Sequence, residues 1–186
     1  MCERGDEYYI QLIKDGDANA FLPIVRRYQQ IVFNIAVKIV HNTEDAEDIA
    51  QEIFIKVFQS ISSFKGKSKF STWLYRIAYN TALSELRRRQ KLELHIEEDL
   101  SKLSSQDFYA DYASDEQADK LRCLKLAMQI LSPEDSLLIT LFYTQSLSIE
   151  EVSEITNLGL SNIKVKLFRI RKKLLLEMNN LLKNEY

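Results

Sequence analysis

A chain of 186 residues, 46% of them hydrophobic, is long enough for one domain or two small ones and apolar enough to bury a core. Four Gly and two Pro are too few turn formers for a sandwich or barrel, and helix-period patterns dominate, so the fold class expected is all-α. The net charge of -2 excludes a protein that is basic throughout, so any nucleic-acid surface must be local.

Chemistry-bearing residues are sparse. Cys2 and Cys123 lie far apart with no metal or redox spacing, and His41 and His95 have no ligand-like neighbours. No triad, Gly-rich phosphate loop or zinc motif accompanies them, so no enzyme activity, cofactor or metal is expected. The opening MCERGDEYY lacks an apolar secretory core, and the most apolar run, Ile31–Val40, is broken by Asn34 and Lys38. A cytoplasmic protein with reduced thiols and no membrane insertion is expected.

In chain order, Asp6 is placed to cap a short first helix, Glu7–Lys14, which Asp15-Gly16-Asp17 ends. A long helix follows from about Ala18 to Val40, with Phe21, Val25, Tyr28, Val32, Ile35 and Ile39 as its apolar stripe. Asn42 and Thr43 offer the next cap, and Glu44, Asp45, Glu47 and Asp48 crowd the positive end of the helix dipole. That third helix, roughly Glu44–Ile61, has two sides. Ala46, Ile49, Ala50, Ile53, Val57 and Ile61 form the core side, while Asp48, Gln51, Glu52 and Ile55 share a neighbouring side. Such a stripe reads either as solvated surface or as a protein-docking surface.

The next stretch, FKGKSKFSTWLYRIAYNTALSELRRR (Phe64–Arg89), concentrates charge. Between Lys65 and Lys91 there are eight Lys or Arg against one acid, Glu85, which points to an anionic partner. A loop carrying Lys65, Lys67 and Lys69 leads into a fourth helix ending near Arg89 or Lys91, with Trp73, Leu74, Ile77 and Thr81 as its buried stripe. Arg76, Asn80, Leu83 and Arg87 fall on another face, combining phosphate-type cations with an amide able to read a base edge. Phe64 and Phe70 flank the loop, where a ring can stack on an unpaired base, whereas Trp73 is read as packing. Four helices sharing a core make a first domain, residues 1–92.

Composition then changes. From Glu93 to Lys120 there are nine acids against two Lys, with no long periodic stripe, so residues 93–118 are expected to be an acidic, largely flexible linker. A helix restarts near Ser114, with Leu121, Leu124, Met128 and Leu131 at helical spacing, and opens a second domain, residues 119–186. Ser132-Pro133-Glu134-Asp135 starts a helix to about Tyr143 that turns Leu137, Leu138, Leu141 and Phe142 inward. Ser148-Ile149-Glu150-Glu151 is a capping box for a short helix to about Thr156. Asn157 or Gly159 can take the left-handed turn conformation, and Ser161 caps the last helix, to about Lys183. Ser148–Arg171 therefore has helix-turn-helix geometry, and Ile155–Leu176 carries six Lys or Arg and no acid. An ordinary helical hairpin with a solvated basic face is the plainer reading, but caps, turn and charge agree on the sharper one.

Two long segments together resemble bacterial sigma factors of the extracytoplasmic-function (ECF) group, the initiation subunits of RNA polymerase. They are AEDIAQEIFIKVFQSISSFKGKSKFSTWLYRIAYNTALSELRR (Ala46–Arg88) and LSPEDSLLITLFYTQSLSIEEVSEITNLGLSNIKVKLFRIRKKL (Leu131–Leu174). The resemblance implies that the first half docks core RNA polymerase through Asp48, Gln51, Glu52 and Ile55. It implies that Lys56, Phe64, Lys65, Lys67, Lys69, Arg76, Asn80 and Arg87 take the melted non-template strand of the minus-ten promoter element. The second half would bind duplex DNA at the minus-thirty-five element through Ser161, Asn162, Lys164, Lys166, Phe168 and Arg169. The linker would pass toward the active-site and RNA-exit channels. A regulatory anti-sigma partner is also implied.

Two features depart from the family's pattern. Asn157 stands where many members place Gly. Lys164 and Lys166 stand where Arg is frequent, which favours phosphate contact over bidentate guanine readout. A self-sufficient, dimeric helix-turn-helix regulator remains an alternative, but it leaves the Asp48/Gln51/Glu52 stripe and the Phe64–Lys69 loop without a purpose. An all-helical, polymerase-binding inhibitor is another.

Overall fold

The computed structural model describes residues 4–40, 43–96 and 116–184. Cys2, His41, Asn42 and the central 97–115 of the acidic stretch lie outside the described residues. Every regular element among the described residues is helical, as the all-α reading requires. Two compact units are present: α1–α4 build the first, and α5, α6 and α8 with most of α7 build the second.

In the first unit, α1 (Asp6–Lys14) ends in a turn where Gly16 has φ +103°, a left-handed conformation that suits glycine. Asp17 accepts from the backbone N–H of Asn19 at 3.0 Å and caps a single 3-10 turn, Ala18–Ala20, before α2 (Phe21–Val37). The long second helix expected from Ala18 therefore starts three residues later. Asp6 is not its helix's cap: Gly5 holds that position, and the Asp6 carboxylate accepts from the Tyr28 hydroxyl at 2.5 Å and pairs with Arg27. A partner on α2 outcompetes the local backbone N–H groups for this carboxylate.

α3 (Thr43–Ser60) and α4 (Phe70–Ile96) complete the unit. Ile24, Val32, Ile35 and Ala36 of α2 meet Ala46, Ile49, Ile53 and Val57 of α3 and Leu74, Ala78 and Ala82 of α4 in a buried core. Each large aliphatic buried this way stabilises by about 1.5–3 kcal/mol, and the alanines let the helix backbones approach. Tyr28, Val32, Ile35 and Ile39 of the expected stripe are buried, while at its start Ile24 is buried and Phe21 and Val25 are only half-buried. A second cluster joins Tyr28, Phe64, Phe70, Trp73 and Tyr75, with ring centroids 5.4–6.0 Å apart in mostly edge-on pairs. α4 continues to Ile96, past the expected end at Arg89 or Lys91.

The second unit begins with α5 (Glu116–Met128), which packs on α8 through Cys123 and Ala127; Leu121 and Leu124, expected on its apolar stripe, are exposed. At α6 (Pro133–Ile139) the Ser132 hydroxyl accepts from the Asp135 N–H at 3.2 Å and Pro133 opens the first turn, as the sequence predicts. The α-helix stops at Ile139 rather than Tyr143. The chain widens into a π turn, Thr140–Thr144, where the Thr140 hydroxyl donates to the Ser136 carbonyl at 2.9 Å. Leu137, Leu138 and Leu141 face inward and Phe142 is half-buried.

α7 (Ile149–Thr156) carries the complete capping box: Glu151 N–H donates to the Ser148 hydroxyl at 3.2 Å, and Ser148 N–H donates to the Glu151 carboxylate at 2.9 Å. Asn157 takes the left-handed conformation, φ 57° and ψ 27°, so it supplies the turn that Gly supplies elsewhere. α8 (Leu160–Asn184) starts one residue before Ser161, which places Ser161 inside the first turn and not at the cap. Ile163, Leu167 and Ile170 bury its inner face against the rest of the unit.

Candidate nucleic-acid and protein-docking surfaces

On the first unit, Asp48, Gln51, Glu52 and Ile55 are all exposed on one side of α3, because Ala46, Ile49, Ile53 and Val57 take the other side into the core. Ile55 is 55% exposed, an aliphatic side chain set in a polar stripe. That combination, an apolar centre with an acid and amide surround, suits a docking surface better than a merely solvated face.

Lys65, Lys67 and Lys69 are exposed in the loop before α4, where Gly66 takes φ +67°. Arg76, Asn80 and Arg87 are exposed along α4, with Leu83 half-buried between them. The opposite side of α4 is anchored by Leu74, Ala78 and Ala82, which fixes the direction of the polar face. Lys56 reaches this neighbourhood from α3: its ammonium lies 3.4 Å from the Thr81 hydroxyl, one residue from Asn80. The same ammonium pairs with Glu52 at 2.6 Å, so one contact joins the acid-and-amide stripe to the basic face.

Phe64 is 8% exposed and packs against Phe70 at 5.5 Å and Trp73 at 5.4 Å, as part of the aromatic cluster beneath the loop. Its backbone carbonyl accepts from Lys14 at 2.7 Å, which ties α1 to the start of the basic loop. Flanking a basic loop is a sequence feature shared by rings that stack on bases and rings that hold the loop down. Trp73 packs as expected.

On the second unit, Ser161, Asn162, Lys164, Phe168 and Arg169 are exposed along the outer side of α8. Phe168 is 64% exposed, more than is usual for an aromatic ring on a helix that needs it for packing. Lys166 is half-buried and lies 3.6 Å from the Asp135 carboxylate on α6. A shallow groove of about 230 Å³ brings Asn162, Lys166 and Arg169 together with Asp135 and Lys173. Periodicity did not pick out Asp135 or Lys173. Lys173 donates to the Ile130 carbonyl at 2.7 Å, a partner 43 residues away in the chain. At the start of α7, backbone N–H and the Ser148 hydroxyl hold the Glu150 carboxyl below its ordinary range.

An exposed acid-and-amide stripe, an exposed cation-and-amide helix and a basic helix-turn-helix define an all-helical protein of transcription. Residues 24–92 match the family model for Sigma-70 region 2, and residues 121–174 match that for Sigma-70 region 4. The chain is 32% identical over 180 residues to the ECF RNA polymerase sigma factor SigW of Bacillus subtilis (strain 168), covering 92% of this chain and 96% of that protein. It is 33% identical over 174 residues to the ECF RNA polymerase sigma-E factor of Haemophilus influenzae, covering 90% of this chain and 92% of that one. The fold is that of the sigma factor RpoE solved in complex with the anti-sigma factor NepR from Bartonella quintana, with TM-score 0.70, 23% identity, and coverage of 86% of this chain and 96% of that one. CnrH, solved in complex with the cytosolic domain of CnrY, gives TM-score 0.65 at 18% identity and covers 97% and 99% of the two chains. The chain belongs to the ECF RNA polymerase sigma factors.

Proposed function

We propose that this protein is a dissociable initiation subunit of bacterial RNA polymerase, acting in the cytoplasm and without catalytic chemistry of its own. Residues 1–92 dock core polymerase and hold the melted minus-ten strand. Residues 119–186 bind the minus-thirty-five duplex, and an acidic linker, 93–118, joins them. The observation that carries this reading is the segregation on the first unit of an exposed Asp48/Gln51/Glu52/Ile55 stripe on α3 from an exposed Arg76/Asn80/Arg87 face on α4. A regulator that acts on duplex DNA alone has no use for the first surface.

Base capture falls to Asn80 with Phe64 beneath the loop, and Lys56, Lys65, Lys67, Lys69, Arg76 and Arg87 supply phosphate contacts. On α8, Ser161, Asn162, Lys164, Phe168 and Arg169 have the exposure that major-groove entry needs, with Lys166 steadied by Asp135. No helix among the described residues is long and apolar enough to cross a membrane. We extend the proposal to an anti-sigma partner that covers these same surfaces, by analogy with the two complexes that share the fold. Recovery of core polymerase alone from native cells under every growth condition would count against that partner.

Run-off transcription with sigma-free core polymerase tests the main reading. The full chain should give discrete transcripts that core alone does not. Asp48→Lys with Glu52→Lys should reduce them at least about tenfold, equivalent to roughly 1.4 kcal/mol of lost docking. Full output from the variant would remove the docking assignment, and no new transcripts from the native chain would remove the function.

A further inference from the structure

The stretch from Lys65 to Lys91 holds a single acid, Glu85, and its surroundings show what that acid does. Its carboxylate side chain is only 12% exposed although it sits on the polar part of α4. One turn on, Arg88 closes a bidentate pair with it, Nε to Oε2 and Nη2 to Oε1, both at 2.7 Å. Arg89 adds a third bond, Nε to Oε1 at 2.8 Å, and uses its Nη1 to reach Asp45 on α3 at 2.7 Å. These bonds, chiefly those from Arg88, hold the Glu85 carboxyl below the ordinary range, and Glu52 adds to the negative field at Arg88. Arg87, between them in the sequence and exposed, makes no hydrogen bond or ion pair among the described residues.

Three consecutive arginines are therefore not equivalent. A phosphate approaching Arg88 meets a guanidinium whose Nε–Nη2 edge is already taken by a carboxylate, so it must either displace that carboxylate or bind the remaining edge beside its negative charge. A phosphate approaching Arg87 meets neither obstacle. We propose that Glu85 sets how many of these three arginines α4 offers to nucleic acid: it withholds Arg88 and Arg89 from phosphate and leaves Arg87 to engage. The consequence is discrimination. Phosphate contacts carry no sequence information, so an acid that removes them lowers affinity for every DNA alike and leaves base-edge contacts a larger share of the total. Glu85 is a positioning residue here, since it acts through the arginines and touches no nucleic acid itself. The inference rests on the reading of the α4 face as a DNA surface.

The test is the salt dependence of DNA binding by the full chain assembled with core polymerase, on a promoter fragment and on a scrambled fragment of the same length. The slope of log affinity against log salt counts phosphates neutralised, at about 0.7 each for single strands and 0.9 for duplex. Glu85→Gln keeps the side-chain shape and releases Arg88, while Asp45 still holds Arg89. It should steepen the slope by roughly one contact and bring scrambled DNA closer to promoter DNA in affinity, by several-fold at low salt. Arg88→Gln in the native background should leave the slope unchanged, whereas Arg87→Gln should make it shallower by one contact. The Arg88 variant keeps the test decisive even if Glu85→Gln fails to fold. An Arg88→Gln slope as shallow as that of Arg87→Gln would overturn the proposal while leaving the DNA face intact. No change with Arg87→Gln would overturn the reading of the face and this inference with it.

Discussion

Replacing Asp6 separates two accounts of what that residue does. As a helix cap it would be exchangeable with asparagine, which caps as well as aspartate. In the structure its side chain is 17% exposed, bonded to the hydroxyl of the buried Tyr28 and paired with Arg27, whose side chain is 28% exposed. The Arg27 pair is partly in solvent and contributes no more than about 1 kcal/mol. Stranding the Tyr28 hydroxyl costs about 1–3 kcal/mol. Asp6→Ala should therefore cost about 1–4 kcal/mol and Asp6→Asn no more than about 1 kcal/mol, since the amide still accepts from Tyr28 but carries no charge. Trp73 is the chain's single tryptophan and is buried in the first unit, so its emission in a urea titration reports that unit alone. With a slope of about 1–2 kcal/mol per molar urea, the Asp6→Ala midpoint should fall by about 0.5–4 M. Tyr28→Phe removes the orphaned hydroxyl, so the double variant should cost less than the sum of the two singles. Strict additivity of Asp6→Ala with Tyr28→Phe would refute the hub and restore the cap.

The same tyrosine makes the first unit sensitive to alkali. Burial, then Asp6, pushes the Tyr28 phenol well above its ordinary value, and burial with the Asp6 charge raises Tyr75 as well. The unfolded chain loses these protons near pH 10 while the folded one keeps them. The stabilisation is thus complete below about pH 10 and is lost as pH rises toward the folded values, at up to about 1.4 kcal/mol per pH unit for each tyrosine. Urea midpoints between pH 8 and 11 should show this, and Tyr28→Phe should weaken the dependence. In the second unit, Ser148→Ala removes half of the capping box of an eight-residue helix. A loss of about 1 kcal/mol there should speed amide exchange across α7 about fivefold, as read by mass spectrometry; unchanged exchange would mean the box contributes nothing.

Much of this protein was legible locally. The caps at Ser132 and Ser148, the Asp15-Gly16-Asp17 turn and the left-handed option at Asn157 each depend on groups within one helical turn. A residue list carries that information directly. The core side of α3 was legible too, because six small and aliphatic residues at helical spacing leave a single way to bury them. Exposure of the Asp48 stripe follows from the same pattern.

Other features depend on partners far along the chain. Neighbouring helix positions differ by about 100° of rotation, so periodicity places a stripe only to within one position. Packing of α2 in the first unit selected Ile24 over Val25, and packing of α5 on α8 selected Cys123 and Ala127 over Leu121 and Leu124. Asp6 found a hydroxyl 22 residues away, and Lys173 a carbonyl 43 away. Phe64 has the sequence context of a base-stacking ring, yet its position depends on whether Phe70 and Trp73 leave it a place inside. They do, and burying an aromatic ring outweighs leaving it in water. The caps at Ser132 and Ser148 and the turns beside them were thus settled by the sequence alone; which side chains are sheltered, and which charges are already paired, was decided by the tertiary structure, because desolvation depends on everything that surrounds a group.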